Sequence, residues 1–223
     1  MMTPYLWRLR PFAQHETSLT AALPELLALQ TIVEQSDWHD DSPFTQSVRL
    51  HDWIVALPDA LFHTISLPPK PLMTLLYQSP GLEPGAHTIQ ALLAFVALIH
   101  DVGKAATFQT HPDGSTSCSG HEMISGHLSA IICGRFTFTP AETHFITTLV
   151  AQHGQPYALS KTSLAEQQAQ KQQFLTLQGV YLRPLLLFAY GDFITSHIAS
   201  RNPGKYQTIR TFYHQWLHEL WPG

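Results

Sequence analysis

Four segments of the chain place a histidine or an aspartate on the same face as their hydrophobic residues. His51 lines up with Val48, Ile54 and Val55; Leu93, Val96 and Ala97 run directly into the adjacent pair His100 and Asp101. His153 follows Ile146, Leu149 and Val150, and Asp192 shares a stripe with Leu185 and Ala189. Residues three, four or seven apart stack on one side of a helix, so all these polar groups are aimed inward. Imidazoles and carboxylates are seldom buried unless they are paired or bind a metal. One inward His or Asp needs only a hydrogen-bond partner, whereas four segments doing the same favour a shared site. Imidazole plus carboxylate is the donor set of manganese, iron, cobalt, nickel and zinc, and helical bundles build such sites from facing helices.

His121 stands apart, because Ser119-Gly120-His121-Glu122 also spells a capping box with Ser119 as cap and Glu122 reaching back. Glu122 is therefore read as structural, and His121 as a first-turn residue beside a loop. His127 falls on another face from His121, and His144 opposes His153, which makes both surface residues.

The elements that must position these groups are helical. No stretch alternates as a half-buried strand does. Helices are expected over about 24–35, 47–63, 88–103, 120–135, 140–153, 164–179, 181–199 and 206–220. Pro68, Pro69 and Pro71, the run Pro80 to Gly85 and the polar loop Thr110 to Ser119 interrupt them. The stretch 66–87 reads as an inserted excursion carrying one short helix, PLMTLLYQ. The expectation is an all-α fold in a single domain over 1–223, with its core at about 24–200.

Composition narrows the function classes. With 223 residues, 44% of them hydrophobic, the chain can bury a sizeable core. Only 13% are charged and the net charge is -4, which disfavours tracking a DNA duplex through many phosphate contacts. Cys118 and Cys133 have no CxxC spacing, which removes a thiolate zinc site and fits a reducing compartment. The N-terminus lacks the layout of a signal peptide, and the run Ala91 to Ile99 falls short of the ~20 residues that span a bilayer. A cytoplasmic protein with no membrane partner is expected.

The segment ALIHDVGKA carries the HDxGK form of the signature of the HD superfamily of metal-dependent phosphohydrolases, and the chain resembles that superfamily. The likeness is strongest to the HD domain attached to bacterial tRNA nucleotidyltransferases, the CCA-adding enzymes. It rests on LLALQTIVEQSDWHDDSPFTQSVRLHDWI, GHEMIS, RFTFTPAETHFITTLVAQH and LLLFAYGDFITSH, and covers about residues 24 to 198. Two departures stand out: a longer spacing from Trp38 to His51 and a large insertion between His51 and His100. They leave His63 and His87 as alternatives to His51. No nucleotidyltransferase domain is present in the sequence, so the likeness speaks for hydrolysis and not for nucleotide addition.

The resemblance implies an HD-domain helical bundle and one or two divalent ions: manganese, iron, nickel, cobalt, zinc or magnesium. His51, His100, Asp101 and Asp192 would hold one ion. His121 and His153 would hold a second with Asp101 bridging, or else serve the substrate phosphate or proton transfer to the leaving group. Asp101 and Lys104 would be the catalytic pair, Lys104 contacting a phosphate oxygen; the competing reading of Lys104 is a helix C-terminal lysine favoured by the dipole. Substrates implied are phosphomonoesters, nucleotides or 2',3'-cyclic phosphates, with an RNA 3' end as a candidate partner. The alternatives are a nucleoside triphosphate, alarmone or cyclic-dinucleotide hydrolase, or a non-catalytic HD sensor that binds a nucleotide.

Overall fold

The apolar run that ends in His100 and Asp101 forms a helix buried on nearly every side. In the computed structural model, which describes residues 16–36, 38–57, 67, 69–80 and 86–221, α5 spans Ile89–Ile99 and buries Leu92 through Ile99 without a break. Thr88 caps it, its hydroxyl accepting from the amide of Ala91 at 3.2 Å. The longer stretch Ile89–Thr107, which begins with α5, is apolar and long enough by length and composition alone to cross a membrane, but 78% of its most apolar window is buried inside the fold.

Around α5 the other helices take their places: α1 (Glu16–Ala22), α2 (Glu25–Gln30), α3 (Pro43–Val55) and α4 (Pro69–Tyr77) before it. After it come α6 (Lys104–Thr107), α7 (His121–Cys133), α8 (Pro140–Gln152), α9 (Gln155–Ser160) and α10 (Leu164–Gln178). The chain closes with α11 (Leu182–Thr195), α12 (Ile198–Arg201) and α13 (Pro203–Leu220). The fold is an all-α helical bundle, as the periodicity predicts. α5 packs against α3, α4, α8 and α11, while α7 lies along α8 and α13 backs α11.

Two packing relationships position the site. α3 and α5 run antiparallel: the Gln90 side chain at the start of α5 donates to the carbonyls of Ile54 (3.0 Å) and Leu57 (2.7 Å) at the end of α3. The N-terminal end of α3 therefore lies beside the C-terminal end of α5. α7 and α8 approach closely at Gly126, where a Cβ would come 2.7 Å from that of Ala151.

The structure corrects several sequence expectations. The helix expected over 88–103 ends at Ile99, and residues 100–103 form a turn before α6. α3 starts four residues earlier than expected, because Ser42 supplies the cap (Oγ accepting from Thr45 N, 3.2 Å) and Pro43 the first turn. The polar loop carries a two-stranded hairpin, Gln109–Thr110 against Thr116–Ser117, turned at Gly114 with φ 82°. The capping box expected at Ser119 is not formed: Gly120, in the left-handed region at φ 78°, is the cap of α7, with no side-chain bond. A capping box does form at α8, between Thr139 and Glu142.

Candidate metal centre

Three imidazoles reach Asp101 from three helices, and each is oriented in the same way. His100 Nδ1 donates to the carbonyl of Ala97 (2.9 Å), His121 Nδ1 to Cys118 (2.8 Å) and His153 Nδ1 to Val150 (2.8 Å). A ring that donates from Nδ1 in its neutral form keeps its lone pair on Nε2. The local fold makes this repeat: His100 and His153 cap the C-termini of α5 and α8, where carbonyls three residues back lack a helical partner.

The Nε2 atoms converge. His121 Nε2 lies 3.0 Å and His153 Nε2 3.7 Å from Asp101 Oδ1, and the two nitrogens are 3.3 Å apart. On the other side His100 Nε2 is 3.3 Å from Asp101 Oδ2 and 3.6 Å from Asp192 Oδ1. Donor atoms of His100, Asp101 and His153 all lie within 4.8 Å of one another. His100 Nε2 and Asp101 Oδ1 are buried without a hydrogen bond. Lone pairs facing one another at such distances repel unless a proton or a metal ion lies between them, so the donor set fits a divalent cation.

Charge agrees with geometry. Burial opposes charge on Asp101, yet His100 and Lys104 outweigh it and hold the carboxyl well below its usual range. Burial opposes charge on Asp192 as well, yet the neighbouring His100 holds its carboxyl down to about 2. Burial also opposes a proton on His100, but Asp101 and Asp192 raise its pKa to about 10; His153 falls to about 4 through burial and the neighbouring positive charge of His100. A cation entering the cluster competes with the proton on His100. Counting Glu34, Asp101 and Asp192 against Lys104, the pocket floor carries two unbalanced negative charges when its imidazoles are neutral.

Three sequence expectations change. His51 is 1% exposed, its Nδ1 pairs with Asp52 Oδ1 at 3.0 Å, and no ion pair of it with Asp101 or Asp192 is seen. The α3 residue that reaches the cluster is Gln46, whose Nε2 donates to Asp192 Oδ1 at 2.6 Å. Five residues further along, His51 lies about 140° round the helix and about 7.5 Å away, and the antiparallel packing carries it towards the start of α5. His87 stands at that far end too, with Nδ1 2.8 Å from Glu142 Oε1; His63 falls outside the described residues. Lys104 is buried between two carboxylates, Nζ lying 2.6 Å from Glu34 Oε1 and 2.9 Å from Asp101 Oδ2. It is neither a free phosphate contact nor a helix C-terminal lysine. His127 and His144 are exposed, as their faces imply.

The cluster forms the floor of a cleft of about 500 Å³ whose wall includes Trp38, His39, Tyr157 and Lys161. Lys161 is exposed at the rim, its Nζ 4.0 Å from the centre of the Tyr157 ring. Among the described residues it is the lysine of the cleft for which no carboxylate partner is seen. His39 Nδ1 is buried without a hydrogen bond, and burial, then Lys104, depresses its pKa. Sequence reasoning missed Gln46, Glu34, His39 and Lys161. Gln46 carried a signal, since it shares the buried face of α3 with Leu50 and Ile54; the other three sit in or beside loops, where no periodicity marks a face. No protein-family model matches the chain, and no curated protein matches it.

Proposed function

We propose that this chain is a metal-dependent phosphohydrolase of the HD superfamily, acting on small phosphate esters: phosphomonoesters, nucleotides or 2',3'-cyclic phosphates, including one at an RNA 3' end. The observation that carries the reading is the convergence of three tautomer-fixed Nε2 atoms on one buried carboxylate at the floor of an open cleft. The resemblance of IHDVGK and the distal FAYGDF segment to the superfamily supports it.

When bound, a divalent ion supplies Lewis acidity and lowers the pKa of a water so that a nucleophile is available at neutral pH. The chain's own groups do the rest. Asp101 is the anchoring carboxylate, and its side chain is held by Lys104 so that its oxygens are fixed before a ligand arrives. His121, Nε2 3.0 Å from Asp101 and half-buried, is the most exposed of the three cluster imidazoles. Lys161 at the rim supplies the positive charge for a phosphate oxygen, the role that the resemblance implied for Lys104. The cleft volume suits a ligand of mononucleotide size.

The test is hydrolysis of a generic phosphomonoester, a generic phosphodiester and 2',3'-cyclic nucleotides in manganese, nickel, cobalt and magnesium. The expected result is turnover of a monoester or a cyclic phosphate that falls more than about 100-fold in Asp101→Ala with an unchanged circular dichroism spectrum. Tight nucleotide binding without turnover on any of them would contradict the enzyme reading and favour a sensor.

A further inference from the structure

We infer that this is a one-ion centre, and that Gln46 is the residue that keeps it so; the inference rests on the metal reading above. Asp101 divides the cluster into two unequal halves. Its Oδ1 faces His121 Nε2 (3.0 Å) and His153 Nε2 (3.7 Å) and is buried with no hydrogen bond. That half offers an anionic oxygen and two imidazole lone pairs to an ion.

The other half is already filled with positive and donor groups. Asp101 Oδ2 receives the Lys104 ammonium at 2.9 Å. Asp192 Oδ1 receives the Gln46 amide N–H at 2.6 Å. The same Gln46 nitrogen stands 3.5 Å from Thr195 Oγ1, and Thr195 in turn donates to Gly191 O at 2.8 Å, so the amide is held in place. Among the described residues, His100 is the imidazole seen within 4 Å of the Asp101 and Asp192 oxygens that a second divalent ion would need here. Such an ion would also meet the repulsion of a buried ammonium on the oxygen it needs. Turning the Gln46 carbonyl to an ion would supply a neutral oxygen and strip Asp192 of its donor. His51 lies about 7.5 Å further along the axis of α3, and no ion pair of it with Asp101 or Asp192 is seen.

Gln46 is thus a positioning residue. It holds Asp192 by hydrogen bonding at the point where an imidazole would have completed a second ion site. The Asp192 carboxylate stays part of the electrostatic surround and is not required to retain the ion held by Asp101, His121 and His153.

The experiment is elemental analysis of the full chain, stripped with a chelator, reloaded with manganese and desalted. One manganese per chain is expected in the wild type, and two in Gln46→His. Asp192→Asn should keep its single ion while His121→Ala loses it, a comparison that stands even if Gln46→His does not fold. Two ions in the wild type overturn the inference and leave the metal reading standing, as does one ion in a folded Gln46→His. So does ion loss in Asp192→Asn with retention in His121→Ala. No ion in the wild type overturns the metal reading itself.

Discussion

Lys104 and Lys161 border one cleft and do opposite things. The Lys104 ammonium lies between Glu34 and Asp101, all three side chains less than a tenth exposed. Removing it leaves two buried carboxylates facing each other. Lys104→Met should therefore lower stability by about 3 kcal/mol, read from the urea midpoint. Lys161 rests on the exposed side of Tyr157. Lys161→Ala should leave that midpoint unchanged and raise the KM for a phosphomonoester about tenfold, the loss of one charge-assisted hydrogen bond. Equal effects of the two substitutions on stability would contradict this division. The sequence alone marks both as lysines near HDVGK or in a loop; only the placement of Glu34, from an extended segment after α2, decides which one is free.

Helix periodicity made His100, Asp101, His153 and Asp192 legible, and the same reasoning failed at His51 for a physical reason. A stripe says which way round a helix a residue points, not how far along its axis a neighbour will meet it. The antiparallel register of α3 and α5, pinned by Gln90 on the carbonyls of Ile54 and Leu57, fixes that level and selects Gln46. The turn at residues 100–103 was likewise hidden, since the apolar run and the favourable residues after it read as one helix. Its purpose lies in Gly103, whose amide donates to Ser125 Oγ at 2.9 Å. A Cβ there would come 2.5 Å from the carbonyl oxygen of His121 and 2.7 Å from the amide of Ser125. Backbone atoms cannot yield as a flexible side chain does, so Gly103→Ala must push α7 away from Asp101. A loss of about 2 kcal/mol in thermal or urea unfolding is expected, together with weaker ion retention through His121. Native stability with full ion content in Gly103→Ala would show that α7 does not depend on this contact.

Across the whole molecule, the all-α bundle was readable because its core helices are strongly periodic and capped. Its functional end was less so, because the cleft is assembled from helix termini and loops. α5 and α8 end there, α7 begins there, and α11 contributes Asp192 from its side. The arrangement gathers three carboxylates, one ammonium and the imidazoles of His121 and His153 into the floor of one cleft, with His100 buried behind it, an excess of negative charge that a divalent ion would balance. In the function proposed above, such an ion at Asp101 drives phosphate-ester hydrolysis. The most direct measurement removes the ion with a chelator, restores manganese stepwise and follows both bound metal and release of inorganic phosphate from a phosphomonoester or opening of a 2',3'-cyclic nucleotide. The account predicts that turnover disappears on stripping and returns in proportion to ion bound, and that Asp101→Asn neither binds the ion nor regains activity. Turnover that survives complete stripping, or an ion that binds Asp101→Asn as tightly as the wild type, would contradict it.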